Sequence, residues 1–217
     1  MSKTLIVVNP NAANGRAGER WKSIEPMLRE QFGELQIAMT RSPDEVANHI
    51  YQAYDSGVTR VISVGGDGTN HSIVNVLAAY REAYPDAMQM EYGMLPMGTG
   101  QDWARSRGIP FDDSAAVQWL THTMAKPVDV GYVQLDTKSL YFLNIASVGI
   151  SGDVVTRVEQ SRRRPWTFLS ATVRSLVSYQ APTIQIRLDG VDWYEGASYI
   201  VAVANGTTFG RGMKVAP

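Results

Sequence analysis

Four short apolar runs, each closed by turn-forming residues, are spaced through the first hundred positions: Leu5–Val8, Leu35–Thr40, Val61–Val64 and Tyr92–Leu95. Continuous β-branched and aliphatic runs of this length are the mark of strands covered on both faces, as in parallel sheets. Between them the apolar period lengthens to that of a helix. Trp21, Ile24, Met27 and Leu28 form one stripe, with Pro26 predicting a kink or a later start. Val46, Ile50 and Tyr54 form a second stripe. It is opened by Ser42 as N-cap, Pro43 at the first position and Glu45 three residues after the cap, and is closed by Gly57. Ile73, Val74, Leu77 and Ala78 form a third. Alternating strand and helix signals predict a doubly wound, three-layer α/β domain.

The pattern changes near Pro127. Beyond it the predicted elements are short strands: Val128–Leu135, Leu140–Ala146, Thr183–Leu188, Val191–Tyr194 and Tyr199–Ala204. One helical insertion is predicted over residues 167–179. Asp189-Gly190 between two alternating runs predicts a two-residue hairpin. The expected organisation is therefore an α/β domain over residues 1–126 and an antiparallel β-sheet domain over 127–217.

Two loops at predicted strand ends carry chemistry. Gly65-Gly66-Asp67-Gly68-Thr69 places three glycines between a buried strand and a helix. Glycine serves where φ is positive or where a ligand must reach the backbone. Successive amides there make an anion site facing the positive end of the next helix. Asp67 would repel a phosphate alone, so it is expected to face a metal ion, a hydroxyl or an amide. The second loop, Pro96-Met97-Gly98-Thr99-Gly100-Gln101-Asp102, lies at the same end of the sheet, where two such loops can flank one ligand.

Composition narrows the alternatives. The chain has 217 residues, a net charge of −1 and no cysteine, which leaves no global attraction for nucleic acid and no thiol chemistry. The run Leu5–Val8 is too short for a signal-peptide core, and no apolar stretch reaches a membrane span. A cytoplasmic protein is expected, with peripheral contact at the inner membrane surface as the limit of its association.

The motifs together resemble the diacylglycerol kinase catalytic-domain family, which includes sphingosine kinases and bacterial lipid kinases. The resemblance rests on Asn9-Pro10 with Gly15 and Gly18, Thr40, the Gly65–Thr69 loop, and the run from Pro96 to Arg105. It continues through Asn144-Ile145-Ala146-Ser147-Val148-Gly149, Asn205-Gly206, Gly210-Arg211-Gly212-Met213 and Ala216-Pro217. It implies an N-terminal nucleotide domain like those of NAD kinases and phosphofructokinases, followed by an antiparallel β-sandwich. It also implies transfer of the γ-phosphate of ATP, with Mg2+, to a lipid hydroxyl of diacylglycerol, phosphatidylglycerol or a sphingoid base. On the same resemblance ATP would contact Asn9, Thr40, Gly65, Gly66, Asp67, Gly68, Thr69, Asn70, His71, Ser72, Gly98 and Thr99. Asp67 would be catalytic, Asp102 would line the substrate cleft, and pairing into a homodimer is a family habit.

Three departures stand out. After Gly-Gly-Asp-Gly-Thr the family shows an apolar residue and Asn-Glu, whereas this chain has Asn70-His71-Ser72. Gln101 replaces the family's asparagine. The resemblance also implies a metal-linked Asp-Gly stretch and a general base beyond Pro217, so the chain is expected to be C-terminally truncated and its metal ligands are left unassigned. Arg157, Arg162, Arg163, Arg164 and Arg174 stand against Glu159 alone, with Trp166 and Phe168 adjacent. Each basic residue near an anionic bilayer contributes roughly 1 kcal/mol, so Arg162, Arg163, Arg164 and Trp166 are candidates for membrane contact. The competing readings are an NAD kinase-like enzyme and a nucleotide-binding regulatory protein without catalysis.

Overall fold

The computed structural model describes residues 3–152, 154, 156 and 178–216. It opens with β1 (Thr4–Val8), α1 (Arg16–Phe32), β2 (Leu35–Met39), α2 (Pro43–Asp55), β3 (Arg60–Gly65), α3 (Asp67–Ala83) and β4 (Glu91–Pro96). The four strands form one parallel sheet in the order β2-β1-β3-β4. Crossing from β1 to β2 in one direction and to β3 in the other sends helices to opposite faces. Alternate residues of each strand therefore enter different cores. Ile6, Val8, Ile62 and Val64 pack with Trp21, Ile24 and Leu28 of α1. Leu5, Val7 and Val61 pack with Val46 and Ile50 of α2 and Ile73 of α3. Burial on both faces explains why these strands read as unbroken apolar runs.

Local signals set the helix ends. Ser42 accepts from the Glu45 amide at 3.3 Å, and Glu45 reaches back to the Arg41 amide, so α2 begins where its capping residues predict. α1 differs from expectation. It starts at Arg16, with Gly15 at φ +88° before it, and contains both Gly18 and Pro26. Gly18 is thus helical; a Cβ there would lie 3.2 Å from the Cβ of Pro10.

Two helices follow β4: α4 (Asp102–Arg107) and α5 (Asp113–His122). The periodicity argument does not predict α5, which is opened by Asp112 accepting from the Ala115 amide at 3.0 Å. Its Ala116 and Val117 close the α1 side of the sheet.

The remaining strands are β5 (Gly131–Gln134), β6 (Ser139–Phe142), β7 (Ile145–Gly149), β8 (Thr183–Leu188), β9 (Val191–Ala197), β10 (Ile200–Ala204), β11 (Thr208–Phe209) and β12 (Met213–Lys214). They pair antiparallel as β5-β6, β7-β10, β8-β9 and β11-β12. The stretch expected as a single strand over Leu140–Ala146 is two, because the chain changes partner: β6 pairs with β5, and β7 pairs with β10. The hairpin at Asp189-Gly190 forms with φ of +50° and +81°, the positive pair a two-residue turn requires.

Contacts divide the chain into one unit of residues 1–144 with 205–217 and another of residues 145–204. The texture change at Pro127 therefore does not coincide with this division. Asn205 explains why: its amide and that of Gly206 donate to the Asn144 carbonyl at 2.8 and 3.0 Å, returning the last segment to the first unit. The predicted helical insertion over residues 167–179 lies mostly outside the described residues.

Candidate nucleotide site

The two glycine loops leave adjacent strands. Gly65 pairs with Pro96 at the end of the β3-β4 ladder, and the Met97 amide donates to the Gly65 carbonyl at 2.9 Å. None of Gly65, Gly66, Gly68 or Gly98 has positive φ. What they supply is close approach. A Cβ on Gly98 would lie 2.6 Å from the Cα of Gly66, and one on Gly65 would lie 2.7 Å from the Cβ of Thr69. Both distances are impossible for a real side chain, so the loops can pack backbone to backbone only as glycines.

Gly68 differs. It occupies the second position of α3, and a Cβ there would meet nothing within 4 Å. Gly66 is the N-cap and makes no side-chain cap bond, so the first turn of a 17-residue helix presents its amides and positive end to the open side of Gly68. This is the arrangement in which a phosphate oxygen meets backbone donors.

Asp67 is the first residue of α3. Its Oδ2 accepts from the Gln101 amide at 2.9 Å, joining the two loops through one carboxylate. The side chain keeps solvent contact but sits in a recess. Desolvation there raises its pKa above the usual carboxylate value, the Gln101 hydrogen bond opposes the rise, and the nearby Asp102 charge adds to it. Gly100 keeps this recess open, since a Cβ on it would lie 2.5 Å from Asp67 Oδ2 and 3.9 Å from Asp102 Oδ2.

Asn9 and Thr69 complete the floor. The Asn9 side-chain amide donates to Thr69 Oγ1 at 3.1 Å, and the Asn9 backbone amide donates to the Val64 carbonyl at 3.0 Å. Asn70 is buried, and its Oδ1 accepts from the Tyr92 hydroxyl at 3.0 Å. Burial drives the Tyr92 hydroxyl pKa upward, with the Asp67 charge adding to it. Ser72 donates to the Gly68 carbonyl at 3.1 Å, and Thr99 is exposed at the rim. Thr40 is 2 % exposed with its hydroxyl donating to the Val8 carbonyl at 3.3 Å, so its side chain faces the fold interior.

Asp102 is committed elsewhere. Its Oδ1 accepts from the Gly212 amide at 2.6 Å and its Oδ2 from the Arg211 amide at 3.0 Å. Ser106, one helical turn later, accepts from the amides of Thr207 at 3.0 Å and Thr208 at 3.3 Å. Together they gather four backbone donors of the terminal glycine-rich segment onto α4. Sequence reasoning missed Ser106 and Asn75, which carry no local motif.

The model of the diacylglycerol kinase catalytic domain matches residues 3–133. The chain belongs to the diacylglycerol kinase catalytic domain family. Residues 144–217 match the "YegS C-terminal NAD kinase beta sandwich-like domain", so the α/β domain is followed by an antiparallel β-sandwich domain. A protein of Cronobacter sakazakii named "Probable lipid kinase YegS-like" is 26% identical over 99% of this chain and 69% of its own length. A protein of the same name from Serratia proteamaculans is 26% identical over 98% of this chain and 67% of its own. A solved diacylglycerol kinase from Bacillus anthracis superposes with a TM-score of 0.71, at 27% identity over 99% of this chain and 67% of its own. Gln101, the residue before α4, has φ +60°. Asparagine tolerates that left-handed conformation better than glutamine. A hydrogen bond from the Gln101 side-chain amide to the Gly98 carbonyl helps hold the turn.

Proposed function

We propose that the protein is an ATP-dependent lipid kinase that transfers the γ-phosphate to a lipid hydroxyl of the diacylglycerol, phosphatidylglycerol or sphingoid-base class. The observation that carries the reading is the joint between the loops: Asp67 holds the Gln101 amide while the side of Gly68 stands open over the α3 N-terminus. Membership of a kinase family and relatives named lipid kinases supply the reaction class. Phosphoryl transfer to an alcohol needs positioning and charge neutralisation more than a nucleophilic side chain. The amides of the α3 first turn and Thr69 are suited to seat the β- and γ-phosphates.

The donor set fits Mg2+ arriving with the nucleotide. No cluster of three or more acidic, histidine or cysteine side chains exists among the described residues. Mg2+ in kinases takes one or two carboxylates plus phosphate oxygens and water, and Asp67 is the carboxylate placed for that role. Bound there, the ion would neutralise charge on the phosphates. Each Asp102 oxygen already accepts one backbone amide. We read its part in the site as anchoring the terminal segment.

The acceptor lies in a bilayer, so the enzyme works at a membrane surface. No helix among the described residues is long and apolar enough to cross a membrane. Arg162, Arg163, Arg164 and Trp166, our candidates for surface contact, lie outside the described residues, and homodimer formation remains part of the same family-based reading. The test is transfer of labelled phosphate from MgATP to a panel of vesicle lipids, to NAD and to no acceptor. Label in a lipid alcohol supports the proposal. Label in NAD alone, or nucleotide binding without transfer to any acceptor, overturns it.

A further inference from the structure

The chain contains two Asn-Gly steps, Asn14-Gly15 and Asn205-Gly206. An asparagine before glycine can modify itself, because glycine has no side chain to shield its amide nitrogen. That nitrogen attacks the asparagine Cγ and a new C–N bond forms. The Cγ–Nδ2 bond breaks, and the side-chain nitrogen leaves as ammonia with the proton of the attacking amide. One water then opens the cyclic imide at either carbonyl. The first opening gives aspartate; the second gives isoaspartate, in which the main chain runs through the former side chain. No oxidant or reductant is consumed.

The fold treats the two steps differently. Asn205 is held at both ends of the reaction. Its Nδ2, the leaving group, donates to the carbonyls of Asp129 at 2.6 Å and Leu143 at 2.8 Å. Gly206, whose nitrogen would attack, is buried, and its amide donates to the Asn144 carbonyl at 3.0 Å. The Asn205 amide bonds the same carbonyl at 2.8 Å. Turning the Gly206 nitrogen toward Cγ breaks this set of bonds inside the packed part of the unit.

Asn14 lacks such restraints. It and Gly15 are both exposed in the connection between β1 and α1, with φ of +60° and +88°. The Gly15 amide donates within the same connection, to the Asn11 carbonyl at 3.2 Å. Among the described residues no hydrogen bond holds the Asn14 side chain. Opening of an exposed turn lies at the low end of local unfolding free energies. We propose that Asn14-Gly15 is a spontaneous modification site, and that the fold suppresses the same chemistry at Asn205-Gly206. The product places a carboxylate one residue before Gly15, the N-cap of the 17-residue helix α1. The isoaspartyl form presents a free α-carboxylate on an exposed turn, the group on which protein carboxyl methyltransferases act.

Incubation of the full chain at mildly alkaline pH, followed by proteolysis and mass spectrometry, tests the proposal. Aspartyl and isoaspartyl products should accumulate at residue 14 at least about tenfold faster than at residue 205, because only the first needs no more than a local opening. In denaturant, where neither step is held, the two rates should converge to within about threefold. Asn14→Gln should remove the product at residue 14 and leave the slow reaction at residue 205 unchanged. Equal rates at the two steps in the folded chain would overturn the proposal. So would a residue 14 that stays unmodified in the folded protein under conditions that convert it in the denatured one.

Discussion

Gly66 and Gly98, 32 positions apart in sequence, pack so closely that a Cβ on Gly98 would lie 2.6 Å from the Gly66 Cα. The two loops behave as one structure because of this contact. Gly98→Ala should force them apart. Overpacking of this kind costs about 1–3 kcal/mol, read as a fall in melting temperature, and nucleotide affinity should drop with it.

Gly68→Ala should do the opposite to stability. Its Cβ would meet no protein atom, and alanine suits a helix better than glycine by about 0.5–1 kcal/mol. The melting temperature should hold or rise while ATP affinity falls at least tenfold, since the methyl group enters the space assigned to phosphate. Thermal unfolding and calorimetric titration on the same preparation check both halves.

Asp67 gives a prediction in pH. Its carboxyl is raised in the fold by desolvation, so the folded state holds that proton more tightly than the unfolded chain. The sign follows: between the ordinary carboxylate pKa and the raised one, stability contributed by the protonated form is lost as pH rises. Asp67→Asn should therefore raise the melting temperature at neutral pH, and the gain should shrink below the carboxylate range. Phosphoryl transfer should be abolished at every pH.

Gln101 holds a left-handed conformation that asparagine adopts more readily. Gln101→Asn should relieve about 0.5 kcal/mol of backbone strain but shorten the side chain that bonds the Gly98 carbonyl, so its stability should lie between those of the parent and Gln101→Ala or close to the parent's. Gln101→Ala should destabilise it by about 1–2 kcal/mol, because it keeps the strain and loses the side-chain bond to the Gly98 carbonyl. Denaturant unfolding of the three proteins separates the two contributions.

Asp102→Ala should free the Arg211 and Gly212 amides from α4. The expected cost is about 1–3 kcal/mol from the loss of two hydrogen bonds to a carboxylate. Hydrogen exchange at Arg211 and Gly212 should accelerate, while ATP binding by this chain should change less than threefold. A large loss of ATP affinity with unaltered exchange would show that Asp102 faces the nucleotide instead.

Much of this was legible from the chain because its signals are local. Ser42 and Glu45 name the start of α2, Asp189-Gly190 names a hairpin, and apolar runs such as Leu5–Val8 name strands buried on both faces. The spacing of glycines between a strand and a helix also names the tight strand-to-helix loop before α3, because its geometry is set within a few residues. Other features exist only when distant segments meet. Only the fold shows that Gly98 is small for the sake of Gly66, and that the Thr40 hydroxyl is spent on Val8. Likewise, Asp102 is occupied by amides more than a hundred residues away, and Asn75 completes the edge of β6. Sequence fixes what each residue can donate, accept or bury. Which partner takes it up depends on where the sheet and its crossovers bring the chain together.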